Sequence, residues 1–115
     1  MFVRLVFVLA FSINSLFNEP PPVVNDARCA GVVEAVGRAF LGDDRVNSQR
    51  ITGADDMAYY LQRAPGAYFL LGAADPAGGP RAHHSAQFDF DERAIGLGIE
   101  VALRIIEAET GSKLG

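Results

Sequence analysis

The chain has a single cysteine, Cys29, so it can form no intrachain disulfide, and a secreted scaffold stapled by several bridges is excluded. Cationic residues are sparse as well. Ten Lys and Arg against fourteen Asp and Glu give a formal charge of -4, and Arg28, Arg38, Arg45, Arg50, Arg63 and Arg81 never form a run. Recognition of a phosphate backbone needs clustered cations, so nucleic acid is excluded as the main partner. No apolar run approaches the roughly twenty residues that cross a bilayer as a helix. Also missing are a phosphate-binding loop, a dinucleotide fingerprint, a paired-cysteine zinc motif and any internal repeat.

What remains is ordinary globular material. With 115 residues, half of them hydrophobic and 21% charged, the chain has the size and composition of one domain with a modest core. Residues 1–19 form an apolar N-terminal segment with two readings. Val3, Leu5, Val6, Phe7, Val8, Leu9 and Phe11 are mostly β-branched or aromatic, as in a buried strand. One basic residue, Arg4, ahead of an apolar run is also the layout of a short leader, with a poor cleavage site at Ala10-Phe11-Ser12. The first reading and the lone cysteine fit a cytoplasmic protein, the second an exported one.

Residues 20–110 carry the regular pattern, and 111–115 are a tail. Asn25-Asp26 offers two capping side chains ahead of a helix spanning Ala27 to Leu41, with Cys29, Val32, Val33, Val36 and Phe40 on one stripe and Gly42 as its stop. A short extended stretch is expected at Arg45 to Gln49. A second helix follows from Ala54 to Arg63, where Thr52 and Asp55 resemble a capping box and Met57, Tyr60 and Leu61 share a face. Ala67 to Ala73 is a continuous apolar run, the pattern of a strand buried on both faces in a parallel sheet. After a Gly- and Pro-rich loop, Asp91-Glu92 opens a last helix, closed by Thr110-Gly111, whose apolar face is lined by Ile95, Ile99, Ala102, Leu103 and Ile106. Phe88 and Phe90 are expected to be core anchors. Strands separated by helices predict an α/β layer structure with helices packed on a mostly parallel sheet.

Few side chains can carry chemistry: Cys29, His83, His84, and the carboxylates of Asp55, Asp56, Asp89, Asp91 and Glu92. Neutral imidazole is the commonest protein metal ligand. Adjacent residues in an extended segment point to opposite sides, so one histidine of a His-His pair faces a given metal. The plainer readings stand beside these. A His-His pair in a loop is more often solvated than metal-bound, Cys29 on an apolar stripe packs as a small core residue, and acids in a first helical turn suit the helix dipole whatever else they do.

Three ordered motifs are more specific. Gly53-Ala54-Asp55-Asp56-Met57-Ala58-Tyr59-Tyr60-Leu61-Gln62, then Pro65-Gly66-Ala67-Tyr68-Phe69-Leu70-Leu71-Gly72, then His83-His84-Ser85-Ala86-Gln87-Phe88-Asp89-Phe90-Asp91-Glu92 together closely resemble the end of the aminoacylase and carboxypeptidase-like metallohydrolases. The branch is the one with hippurate hydrolase and the auxin-conjugate amidohydrolases. Pro21-Pro22-Val23-Val24-Asn25-Asp26 looks like the point where that family's chain returns from its lid domain, so residues 1–19 would be a remnant lid strand or a leader. The resemblance implies an incomplete part of a three-layer zinc-peptidase-like catalytic domain. In the full-length family two divalent metals (Zn, Mn, Co or Ni) activate a bridging water, a glutamate takes its proton, and an N-acyl amino acid or short peptide is cleaved.

Carried onto this chain, the resemblance makes His84 the last metal ligand and Gly53 and Ala54 neighbours of the substrate. His83 is not carried over, because relatives have an apolar residue there, and Ala86 stands where relatives have proline. The other metal ligands and the glutamate base have no counterpart, so no catalytic residue is assigned and metal binding by the chain alone is expected to be weak. The expected function is that of a C-terminal fragment of a metal-dependent amidohydrolase or peptidase, inactive alone. It would be completed by a missing N-terminal portion or by a homodimer. The alternative is a non-enzymatic binding module that keeps part of the fold.

Overall fold

The structure is a computed structural model that describes residues 5–8, 21–49, 55–79 and 81–115. Its regular elements, in chain order, are β1 (Leu5–Val8), α1 (Ala27–Leu41), β2 (Val46–Gln49), α2 (Met57–Leu61), β3 (Phe69–Leu71) and α3 (Arg93–Thr110), with one 3₁₀ turn at Asp43–Arg45. Strands and helices alternate, and the chain is α/β.

The three strands form one sheet in the order β2-β1-β3. β1 runs parallel to β2, with Leu5 opposite Val46, and antiparallel to β3, with Leu5 opposite Leu71. The expected mostly parallel sheet is therefore mixed across these strands. An apolar run buried on both faces specifies a strand but not its direction; the connection sets that. The link from β1 to β2 contains the long helix α1, as a parallel pair requires. The link from β2 to β3 returns the chain in the opposite sense.

Both faces of β3 are covered. On one, Phe69 joins Val33 and Ala30 of α1, Val46 of β2, Ala67, and Ile105 of α3. On the other, Leu70 and Tyr68 pack with Val23 and with Ala58 and Leu61 of α2. Alternation along the strand produces this division, since successive side chains leave a strand on opposite sides.

Asn25 and Asp26, the two candidate caps, have separate jobs. The Asp26 carboxylate accepts the Cys29 backbone N–H at 2.9 Å and caps α1. The Asn25 side chain instead clamps the chain before β3, accepting the Tyr68 N–H at 2.7 Å and donating to the Tyr68 carbonyl at 2.9 Å. At its other end α1 stops at Gly42, whose φ of 101° lies in the region that favours glycine, and whose N–H donates to the Arg38 carbonyl at 3.0 Å. α3 ends in the same manner at Gly111, φ 70°, with its N–H on the Glu107 carbonyl at 2.8 Å.

α3 packs on a side that its large residues do not mark. Ala94 and Val101 are buried, and Ile105 reaches the cluster around Val33. A Cβ at Gly98 would lie 3.3 Å from Cδ2 of Leu71, so this glycine lets the helix approach β3 closely. Ile95, Ile99, Leu103 and Ile106 are exposed, and Ala102 with them. Phe88 and Phe90, expected in the core, are exposed as well, at 46% and 37%. They stack on each other in the loop before α3 (ring centroids 6.1 Å apart) and not under a second layer. Among the described residues, no helix is long and apolar enough to cross a membrane.

Candidate functional site

The histidine loop is fixed at both ends. Its N-terminal end leaves β3 through Gly72 to Asp75, and its C-terminal end meets the start of α3, where the Asp91 N–H donates to the Ala73 carbonyl at 2.8 Å. Asp91 then does most of the capping for α3. Its carboxylate accepts the Arg93 N–H at 3.0 Å and the Arg93 guanidinium Nε at 2.8 Å. The Arg93 side-chain hydrogen bond holds the Asp91 carboxyl below the usual carboxylate range, against a smaller opposing effect of burial.

Within the loop, His83 and His84 occupy a turn. Ser85 supports it from the C-terminal side: its Oγ accepts the Gln87 N–H at 3.1 Å and its carbonyl accepts the Phe88 N–H at 3.0 Å. The two imidazoles diverge. His83 lies against Phe88, ring centroids 5.4 Å apart, and lines an apolar cavity of about 440 Å³ beside the end of β3. Leu70, Leu71, Phe88 and Phe90 share that lining, and the Arg81–Asp89 ion pair (2.7 Å) closes one side. His84 is exposed and does not belong to the cavity wall. It has φ 60° and is the one non-glycine residue with positive φ among the described residues. Left-handed backbone at a non-glycine residue costs on the order of 1 kcal/mol and tends to persist where a side chain must be aimed.

The second expected site segment begins at Gly53 and Ala54, which lie outside the described residues, as does Thr52. The residue that follows them is held firmly. Asp55 accepts the Met57 N–H at 2.8 Å, opening α2, and its second carboxylate oxygen accepts the Tyr68 hydroxyl at 3.0 Å. Burial, reinforced by that hydrogen bond, pushes the Tyr68 phenol up from its ordinary value. The Asp55–Tyr68 pair fastens α2 to the strand that leads into the histidine loop. Sequence reasoning names Asp55 as a candidate carboxylate and a capping-box residue; its tie to a tyrosine thirteen residues away carries no local signal. Cys29, expected as a small core residue, is half-buried on α1, and desolvation raises its thiol pKa.

No group of three His, Cys, Asp or Glu side chains that could hold a metal ion occurs among the described residues. Three protein ligands and an open position are the usual minimum for a catalytic metal. The divergent His83 and His84 do not meet it, so the described residues do not by themselves fit a catalytic metal centre.

Comparison with known proteins places this geometry in context. The profile described as peptidase family M20/M25/M40 matches residues 6–108. Among curated relatives, an N-acetyl-L-cysteine deacetylase of Bacillus subtilis is 31% identical over 100 residues, covering 83% of this chain and 23% of the relative. An IAA-amino acid hydrolase of Arabidopsis thaliana is 31% identical over 80 residues, 68% of this chain and 18% of the relative. A Rhodococcus jostii protein named as a glutamate–cysteine ligase is 37% identical over 94 residues, 79% of this chain but 12% of that protein. The chain thus spans between about an eighth and a quarter of the length of these relatives.

Proposed function

The chain belongs to peptidase family M20/M25/M40, and from that premise we propose that it is the C-terminal part of a metal-dependent amidohydrolase whose active unit needs further protein. The family match across residues 6–108 carries this reading. Two features support His84 as a donated metal ligand: its imidazole is exposed, and it sits on a left-handed turn held between the end of β3 and the start of α3. Such a turn suits a ligand that completes a centre built elsewhere. Gly53 and Ala54 are proposed to flank the substrate because they immediately precede Asp55, which is anchored to Tyr68. The substrate class proposed for the complete unit is an N-acyl amino acid or short peptide. Two relatives carry names with this chemistry, a deacetylase of an acylated amino acid and a hydrolase of an amino acid conjugate. On this reading the fold is part of a three-layer catalytic domain.

Since His84 is the one imidazole proposed as a ligand and the described residues hold no three-ligand group, the purified chain is expected to bind Zn²⁺, Mn²⁺ or Co²⁺ weakly and to release no amino acid from N-acetyl or N-benzoyl substrates. Calorimetry and a ninhydrin assay measure the two. Turnover by the isolated chain that vanishes in His84→Ala would show a complete site and overturn the reading.

One observation favours a second reading, a non-enzymatic binding module: the row of exposed isoleucines on α3. Under that reading, His84→Ala leaves every function of the assembled protein intact. Under the first, it abolishes hydrolysis by the assembled protein.

A further inference from the structure

The strand that comes first in the chain stands in the middle of the sheet. In the order β2-β1-β3 the outer strands each pair with β1 and not with each other. Neighbouring strands lie roughly 4.8 Å apart, so β2 and β3 are about 10 Å from one another, which leaves room for one strand between them. β1 fills that slot, parallel to one wall and antiparallel to the other.

The walls have supports of their own. Val46 of β2 and Phe69 of β3 pack in one cluster with Val33 of α1. From Val23 onward the chain is tied to α2 and β3 directly. Val23 packs with Ala58 and Leu70, the Asp26 N–H donates to the Gly66 carbonyl at 2.9 Å, and Asn25 holds both backbone groups of Tyr68. Residues 9–22 are what join β1 to this framework.

Backbone direction shows what the slot offers. Tyr68 turns its N–H and carbonyl to Asn25, away from β1. Successive residues of a strand turn these groups to opposite sides, so Phe69 and Leu71 turn theirs to β1, opposite Phe7 and Leu5. By the same alternation Val6 and Val8 turn theirs to β2. Without β1, both walls would hold backbone donors and acceptors lacking partners, which strongly favours an occupant. Added strands bind in this way, main-chain bonds giving affinity and alternate side chains giving specificity. An occupant bonded on both edges must be free of proline. It must also be apolar, to suit Val46 and Phe69 on one face and Leu70 on the other. Residues 2–11 meet both demands, with no proline and one charged residue, Arg4.

We propose that the slot between β2 and β3 is a binding site for an extended apolar peptide, filled by the chain's own residues 5–8 and able to take the same segment in trans. The N-terminal segment is then a separable ligand of the rest of the chain. This site is independent of the amidohydrolase reading and stands or falls without it.

The test keeps the full chain. A site-specific protease sequence is inserted after Ser15, the folded protein is cut there, and a fluorescent peptide of residues 2–11 with a solubilising lysine tail is added in excess. Anisotropy is expected to show saturable uptake by the cut chain. Uptake by the uncut chain should be at least about tenfold weaker, because a tethered strand competes at high effective concentration. Peptides N-methylated at Val6 or at Phe7 lose one donor, toward β2 and β3 respectively, and each should bind at least about tenfold more weakly. The cut chain should keep the circular dichroism of the uncut one. Equal uptake by cut and uncut chains, or uptake that tolerates either N-methyl group, would place the peptide on an outer edge and overturn the proposal. So would an absence of uptake, or a loss of helical signal on cutting, since the walls would then depend on a tethered β1.

Discussion

α1 and α3 look alike as sequence and behave differently as structure. Each carries an apolar stripe at helical spacing and stops at a glycine, and each packs over the same face of the sheet. In α1 the stripe read from spacing is buried at Val33, against Val46, and half-buried at Cys29, Val32, Val36 and Phe40. In α3 the stripe of large residues points outward, while Ala94, Gly98 and Val101 make the contact. The difference lies in what flanks the contact: Cys29, Val32, Val36 and Phe40 of α1 are half-buried, whereas Ile95, Ile99, Leu103 and Ile106 of α3 are exposed. Small residues make the contact of α3 with β3 because they let the backbone come close.

The comparison is sharpened most by three truncations in the isolated chain. Val33→Ala and Val101→Ala each delete two buried methyl groups and leave a void. Each is expected to cost about 2 kcal/mol at ~0.8 kcal/mol per buried carbon plus a cavity contribution. Ile99→Ala removes more hydrocarbon yet should change stability by less than about 0.5 kcal/mol, because Ile99 is more than half exposed. Urea unfolding of the three variants measures this. An Ile99→Ala cost equal to that of Val101→Ala would break the contrast between the helices and place the stripe in the core.

α1 is also anchored from its N-terminal flank in a way α3 is not. Asn25 satisfies both backbone groups of Tyr68 with one side chain. Asn25→Ala leaves a half-buried donor and acceptor without their partner, and is expected to cost up to about 2 kcal/mol. Asn25→Asp keeps the acceptor but loses the donor and should fall between. Amide exchange at Tyr68 gives a local readout, since its N–H should lose protection in Asn25→Ala and keep part of it in Asn25→Asp.

Both helices begin with an aspartate whose carboxyl is held below its ordinary value. For Asp26 the chief cause is the hydrogen bond from the Cys29 backbone, and for Asp91 the Arg93 side chain. A carboxyl with a depressed folded-state pKa contributes stability that is present above the unfolded value of about 3.9 and is lost as pH falls through the lower folded value. Stability should therefore decline below about pH 4. Asp26→Asn and Asp91→Asn should each flatten that decline while lowering stability slightly at neutral pH, as urea midpoints against pH would show. A profile unchanged by either substitution would mean that the caps do not distinguish folded from unfolded chains.

What the sequence made legible follows from how local each signal is. Asp26 and Gly42 bracket α1, and the helix spans Ala27–Leu41 as expected, because cap and stop act within one turn. The apolar run around Phe69 to Leu71 announces a strand for the same reason. The direction of β3 and the packed face of α3 depend on residues distant in sequence, and the spacing rules that mark them apolar say nothing about which neighbour arrives. Phe88 and Phe90 were misplaced for that reason, being apolar residues whose cover is not among the described elements. At the site, resemblance pointed to His84, whereas the geometry of the turn, with His83 against Phe88 and His84 left outside, follows from backbone dihedrals that no residue pattern encodes. Gly53 and Ala54 fall outside the described residues and remain an inference from resemblance.

The smallest expected effect concerns that turn. At φ 60° a side chain with a Cβ is strained, and glycine is not. His84→Gly should therefore be more stable than His84→Ala by about 1 kcal/mol, since both remove the imidazole and only one keeps the strain. Paired urea denaturation of the two variants isolates the backbone contribution, because the loss of the exposed ring is common to both. If alanine proved equal to glycine, the turn would have to relax out of the left-handed region without the histidine. The aim of the imidazole would then be a property of His84 itself and not of a backbone prepared to hold it.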